Sequence, residues 1–258
     1  MGIEIFRPLG ISGITPNINF NPNRYQTNFG NYLAEDTFEK SGPEKYTSET
    51  AIKKMIIANP KVKNILKNSN IPLVLNMDYF KELLANHATD VQNIAIGISE
   101  NLPFSLSSKV NKKALKDAAY LHDMGKVLIP KEILNKNGKL DAKETEIMHK
   151  HSELGYELLK TTGLDQTTLN LVKNHHQNAK KTGYPWVSND FTADINLQIL
   201  SVADKYSALT EKRAYKDPMS PKQALTIIYA DVKEGKLNPI VFKALVNFAK
   251  SNEKVAVS

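Results

Sequence analysis

Apolar residues recur at three- and four-residue steps along most of the chain, and no alternating strand pattern competes with them. The strongest stretch runs from Asp78 to Leu102. There Tyr79, Phe80, Leu83, Leu84, His87, Val91, Ile94, Ala95 and Ile98 share one face of a single predicted amphipathic helix. Upstream, Ala51, Met55 and Ile56 share a face within Ser48 to Ser69, with Ser48 and Glu49 as a helix start. Pro60 divides that segment into two short helices, and Pro72 marks a break. Downstream, Pro103 to Ser108 reads as a loop and Asn111 to His122 as a helix. Val127 to Lys139 reads as a loop, one helical turn and a turn at Asn137-Gly138. Asp141 caps the next helix with Glu144 as capping-box partner; it runs from Ala142 to about Thr161, and Gly163 ends it. Further helices span Asp165 to about Gln177 and Ala193 to Glu211, separated by a loop over Lys180 to Thr192. Ser220 is the N-cap of another, with Pro221 at its first position. The last helix starts near Pro239 and ends around Lys250, leaving a frayed tail from Ser251.

The predicted fold class is therefore all-α. Residues 1–45 form an irregular arm, broken by Pro8, Pro16, Pro22 and Pro43, whose aromatics (Phe6, Phe20, Tyr25, Phe29, Tyr32) argue against a fully solvated tail. Residues 46–72 are a short helical lead-in, and residues 73–258 make the main domain. There is no internal repeat, no Walker loop and no glycine-rich dinucleotide turn.

Composition narrows the chemistry. The 258 residues are 41% hydrophobic, enough for a sizeable core. The net charge of +7 suits an anionic ligand such as a phosphodiester, without the dense basic stripe of a duplex DNA or RNA binder. No cysteine is present, which excludes disulfides, thiolate metal sites and cysteine nucleophiles; any metal site must use nitrogen and oxygen. No apolar run approaches the roughly 20 residues of a membrane span, the N-terminus lacks a signal-peptide pattern, and Phe6 stands where a myristoylation signal wants Ser or Thr. A cytoplasmic location is the default expectation.

Of six histidines, five fall at the ends or on the inner faces of separate predicted helices: His87, His122, His151, His175 and His176. Taken singly, His87 in its apolar stripe reads as a core histidine, and the His122-Asp123 pair as a helix end. Together with Asp123 and Asp204 they give seven N/O donors that a bundle would converge on its interior. Seven are too many for one cation but suit two, with a carboxylate bridging. His149 lies about 200° around the helix from His151 and fits a surface histidine.

The strings HDMGKVLIPKEILNKNGKL, EIMHKHSELGYELL, HHQNAKKTGYP and VADKYSALTEKRAYK, in that order, resemble the HD-GYP family of the HD superfamily of metal-dependent phosphohydrolases. The resemblance covers about Phe80 to Phe248. It implies an HD-domain helical bundle that hydrolyses cyclic di-GMP to linear pGpG and onward to GMP, with water activated by two divalent cations. Iron or manganese is favoured, with zinc compatible. The implied metal ligands are His87, His122, Asp123, His151, His175, His176 and Asp204, with Asp123 bridging. Asp123 and Lys126 would be catalytic, and Lys126, Tyr184, Arg213 and Lys216 would hold substrate. A homodimer or a regulatory protein partner stays open.

Several positions depart from the family pattern. Gln177, Asn178, Ala179 and Lys180 stand where an acidic residue, an arginine, a tryptophan and an aspartate are usual, Ser207 replaces an aspartate, and Lys131 follows Pro130 where an aspartate is common. Leu83 occupies the position of a third-metal glutamate, with Glu82 about 100° away, so two metals are expected. The rewritten stretch keeps two alternatives alive: an HD phosphohydrolase of another cyclic dinucleotide or nucleotide, and a catalytically weak cyclic di-GMP sensor or scaffold.

Overall fold

The computed structural model describes residues 42–211 and 217–256, with side chains to residue 252. The predicted arm over residues 1–45 therefore lies almost wholly outside the described residues, as do Arg213 and Lys216. Among the described residues every regular element is helical. A 3-10 turn (Gly42–Tyr46) leads into α1 (Glu49–Ala58) and α2 (Pro60–Asn68), and Ser48 caps α1 by accepting from the Ala51 N–H at 3.1 Å. Asn59 closes one helix and caps the next, and its Nδ2 donates to Glu157 Oε2 at 2.7 Å, tying the lead-in to the domain.

The long helix predicted over Asp78 to Leu102 is interrupted. It comprises α3 (Met77–Leu83), a π-helical turn (Leu84–Ala88) and α4 (Thr89–Glu100). The π-turn adds a residue to the helical repeat and carries His87, so the ring is re-aimed at the point where chemistry gathers. The predicted loop after it holds a four-residue helix, α5 (Phe104–Ser107). Then follow α6 (Lys112–Leu121), capped by Asn111, a 3-10 turn (Met124–Leu128), α7 (Lys131–Leu134) and α8 (Ala142–Leu159). The Asp141–Glu144 capping box on α8 is present in both directions. α9 (Gln166–Asn174) stops just before His175-His176, and α10 (Ile195–Thr210), α11 (Pro221–Lys233) and α12 (Pro239–Ala256) complete the chain. α12 continues past the predicted end near Lys250.

α4 is the central helix: it contacts α6, α10 and α12, while α6 and α8 both contact α9. Val91, Ala95, Ile98, Leu115, Ala118, Leu121, Leu154, Leu158, Val172, Ile199 and Ala203 are fully buried in this packing. For the valine, leucine and isoleucine side chains among them, such burial contributes about 1.5–3 kcal/mol each before entropy is counted. The turn at Met124–Leu128 packs so closely on α8 that a Cβ on Gly125 would lie 1.9 Å from the His151 carbonyl oxygen. Glycine at 125 is what lets the His122-Asp123 corner approach the helix carrying His151. No helix among the described residues is long and apolar enough to cross a membrane.

Candidate metal centre

The seven predicted ligands come together in one pocket. The π-turn supplies His87, the end of α6 supplies His122 and Asp123, α8 supplies His151, the end of α9 supplies His175 and His176, and α10 supplies Asp204. His87, His122, Asp123, His151 and His175 are buried. Donor atoms form two groups that share Asp123: one with His151, His175 and His176, the other with His87 and His122. The carboxylate spans them. Oδ1 lies 3.3 Å from His151 Nε2 and 3.9 Å from His175 Nε2, while Oδ2 lies 3.3 Å from His122 Nε2 and 3.8 Å from His87 Nε2. Asp204 sits across both groups, with Oδ1 3.2 Å from His87 Nε2 and Oδ2 3.8 Å from His176 Nδ1.

Hydrogen bonds on the outer side fix which nitrogen faces inward. The Nδ1 atoms of His122, His151 and His175 sit 2.8, 2.6 and 2.7 Å from the carbonyl oxygens of Ala119, Met148 and Val172. A carbonyl only accepts, so each Nδ1 carries a proton and each ring turns its Nε2 inward; in the neutral rings of His151 and His175 that atom presents a lone pair. Yet His151 Nε2 stands 3.2 Å from both His175 Nε2 and His176 Nε2. With His151 and His175 in these tautomers neither can donate across that contact. Two lone pairs then face each other in a buried space, which is unfavourable unless a cation lies between them. At metal–nitrogen distances near 2.0–2.1 Å, neighbouring ligand nitrogens stand about 3 Å apart, as here. His122 Nε2 and Asp123 Oδ1 are in addition buried without a partner in hydrogen-bonding geometry. These are the marks of a donor set shaped for cations.

His87 is held differently. Its Nδ1 lies 3.1 Å from Ser207 Oγ and 3.3 Å from Glu211 Oε2. Ser207, the departure from the family aspartate, thus still orients the ring, and Glu211 supplies the carboxylate from four residues further along. Sequence reasoning missed Glu211; its spacing of i, i+4 from Ser207 was the available signal. Glu82 is exposed and Leu83 packs against the core, so neither faces the donors.

Electrostatics follow from this crowding. Burial pushes the His151 and His176 rings down to about 3 and 4, and holds His175 well below the ordinary imidazole range, with the neighbouring imidazoles adding to it. Neutral imidazole is the ligating form. Burial also opposes charge on His87, but hydrogen bonds to Asp204 and Glu211 outweigh it and raise its pKa to about 9. A cation would have to displace that proton. Burial disfavours the Asp123 carboxylate, but the Lys126 ammonium 2.6 Å from Oδ2 holds its pKa well below the usual range. The pair raises Lys126 in turn, against the effect of burial.

Tyr184 borders the donor set: its ring centroid is 4.5 Å from that of His176 and 6.1 Å from that of His151. His149, predicted on the surface, is instead half-buried and stacks on Tyr184 at 3.6 Å with a 14° interplanar angle. The α8 geometry does turn it away from His151, but the Tyr184 loop folds over to meet it. A cleft of about 440 Å³ opens beside His175, His176 and Asp204, with Lys205 and Lys236 on its walls.

A sequence-family profile described as "HD domain" matches residues 77–241. The 3'3'-cGAMP-specific phosphodiesterase 2 of Vibrio cholerae is 42% identical over 111 residues, which cover 42% of this chain and 21% of that protein. The 3'3'-cGAMP-specific phosphodiesterase 1 of the same organism is 26% identical across 70% of this chain and 42% of its own length. A cyclic di-GMP phosphodiesterase response regulator of Xanthomonas campestris is 34% identical, covering 48% of this chain and 33% of that protein. The chain thus spans less than half the length of these curated relatives. Among solved structures, an HDG"Y"P protein from Bdellovibrio bacteriovorus superposes with a TM-score of 0.54 at 18% identity, over 81% of this chain and 65% of that one. The HD domain of the phosphodiesterase PgpH from L. monocytogenes gives 0.51 at 15% identity, over 82% of this chain and 100% of that one. At these identities the agreement is one of fold.

Proposed function

Because this chain belongs to the HD domain family, with motif strings of the HD-GYP type, we propose that it is a metal-dependent phosphodiesterase. In this reading it opens cyclic di-GMP to linear pGpG and carries the product on to GMP. The observation that carries the reading is the convergence of imidazole nitrogens 3.2 Å apart, with no proton available between His151 and His175, on a carboxylate shared by two donor groups.

His151, His175 and His176 with Asp123 Oδ1 would hold one divalent cation, and His87 and His122 with Asp123 Oδ2 a second, with Asp204 completing both. Iron or manganese suits this mixed imidazole and carboxylate set, and zinc is compatible with it. When bound, such a pair lowers the pKa of a water and offsets charge on phosphoryl oxygens. In the reaction a water oxygen bonds to phosphorus, the P–O3′ bond breaks, and the leaving 3′ oxygen takes up a proton. Lys126 stays charged beside Asp123 and stabilises negative charge developing on the phosphoryl oxygens. Tyr184, at the border of the donor set, contacts the nucleotide. Arg213 and Lys216, outside the described residues, would hold phosphate.

A second reading concerns the base. The rewritten Gln177–Lys181 stretch, with the 42% identity to a 3'3'-cGAMP-specific enzyme, favours a mixed cyclic dinucleotide as a competing substrate. The test is chromatography of products after incubating metal-loaded protein with cyclic di-GMP and with 3'3'-cGAMP. Release of a linear dinucleotide from either is the expected result, and the faster substrate decides between the two. Absence of product from every cyclic dinucleotide would leave a binding role in place of hydrolysis.

A further inference from the structure

Two side chains outside the donor set grip the Gly183-Tyr184-Pro185 loop. The His149 ring stacks on Tyr184 at 3.6 Å. Gln177 is 2% exposed; its Nε2 donates to the Pro185 carbonyl at 2.5 Å, and its Oε1 accepts from the Gly183 N–H at 3.2 Å. The loop also presses on the end of α9, where a Cβ on Gly183 would lie 1.9 Å from the His176 carbonyl oxygen. The backbone on both sides of Tyr184 and a face of its ring are thus fixed before any ligand arrives.

We propose that His149 and Gln177 are positioning residues that hold Tyr184 beside the metal pocket and thereby set the affinity for the nucleotide. The part concerning affinity rests on the phosphodiesterase reading above. The chemistry of each residue matches its task. A primary amide carries a donor and an acceptor on one tip, as Pro185 O and Gly183 N–H require. A glutamate of the same shape donates nothing when ionised, so it would set a carboxylate oxygen against the Pro185 carbonyl. His149 needs only a flat ring to stack. A loop ordered in advance loses less conformational freedom when ligand binds, so its benefit appears in KM and not in the chemical step.

The test compares wild type with His149→Ala, His149→Phe and Gln177→Glu. Amide hydrogen exchange over residues 182–187 is read without ligand, and KM, kcat and bound metal are read with it. His149→Ala and Gln177→Glu are expected to speed loop exchange and to raise KM about tenfold, with kcat and metal content nearly unchanged. His149→Phe restores both readouts. Wild-type exchange rates in His149→Ala and Gln177→Glu, or a loss of kcat or metal with KM unchanged, overturn the inference. If wild type itself turns over no cyclic dinucleotide, the phosphodiesterase reading falls, and loop exchange alone decides whether these side chains hold Tyr184.

Discussion

Asp123→Ala is expected to abolish turnover, by more than about a thousandfold, and to strip bound metal from the protein. The reason is the split between its two oxygens: Oδ1 faces His151 and His175, and Oδ2 faces His122, His87 and Lys126. Asp204 also reaches toward both groups, but among the described residues Asp123 alone is a member of each cluster whose donor atoms all lie close enough to hold one ion. Removing it also leaves the Lys126 ammonium beside an apolar methyl, and breaking a buried pair from one side costs about 3–5 kcal/mol. Asp123→Asn separates the two effects. The amide keeps the volume and accepts from Lys126, but it lacks the charge to bridge cations. Circular dichroism should show Asp123→Asn folded, while elemental analysis shows metal reduced and assays show no product. Full activity in folded Asp123→Asn would remove the bridging role.

Lys126→Met is expected to lower kcat by about a hundredfold while metal content holds, because one preorganised positive charge near the developing oxyanion is lost. Its effect on stability should depend on metal. Without cations, Lys126 is the ammonium paired with Asp123 at 2.6 Å, so its removal takes away the nearest counter-charge of a buried carboxylate. With cations bound, the carboxylate is compensated. Thermal unfolding of the variant should therefore drop further below wild type in chelator than in the metal-loaded form. Equal drops in both forms would mean that Lys126 and the cations do not share Asp123.

Much of this was legible in the sequence, for reasons that differ by element. The caps at Ser48, Asp141 and Ser220 are local chemistry, readable from a few residues, and all three accept the expected backbone N–H. The donor set was legible because five histidines at helix ends and inner faces have little other reason to recur in a bundle. The π-turn at Leu84–Ala88 was not, since the apolar stripe through Leu83, Leu84, His87 and Val91 is equally compatible with an unbroken helix. What breaks it is tertiary: Nδ1 of His87 reaches Ser207 on α10 and Glu211 at its C-cap, more than a hundred positions away. His149 failed for a related reason. Helical geometry gives the side a residue faces, and it does not say which loop returns to cover that side. The Gln177 substitution was visible as a departure, but its two bonds to Gly183 and Pro185 depend on how the following loop folds back.

Two cations bridged by Asp123 should occupy the paired donor groups. Anomalous diffraction from crystals of the metal-loaded protein, collected above and below the absorption edges of iron, manganese and zinc, tests it directly. Two peaks are expected flanking the Asp123 carboxylate, one beside His151, His175 and His176 and the other beside His87 and His122. A single peak away from Asp123, or none in protein shown to be folded and loaded, would contradict that arrangement.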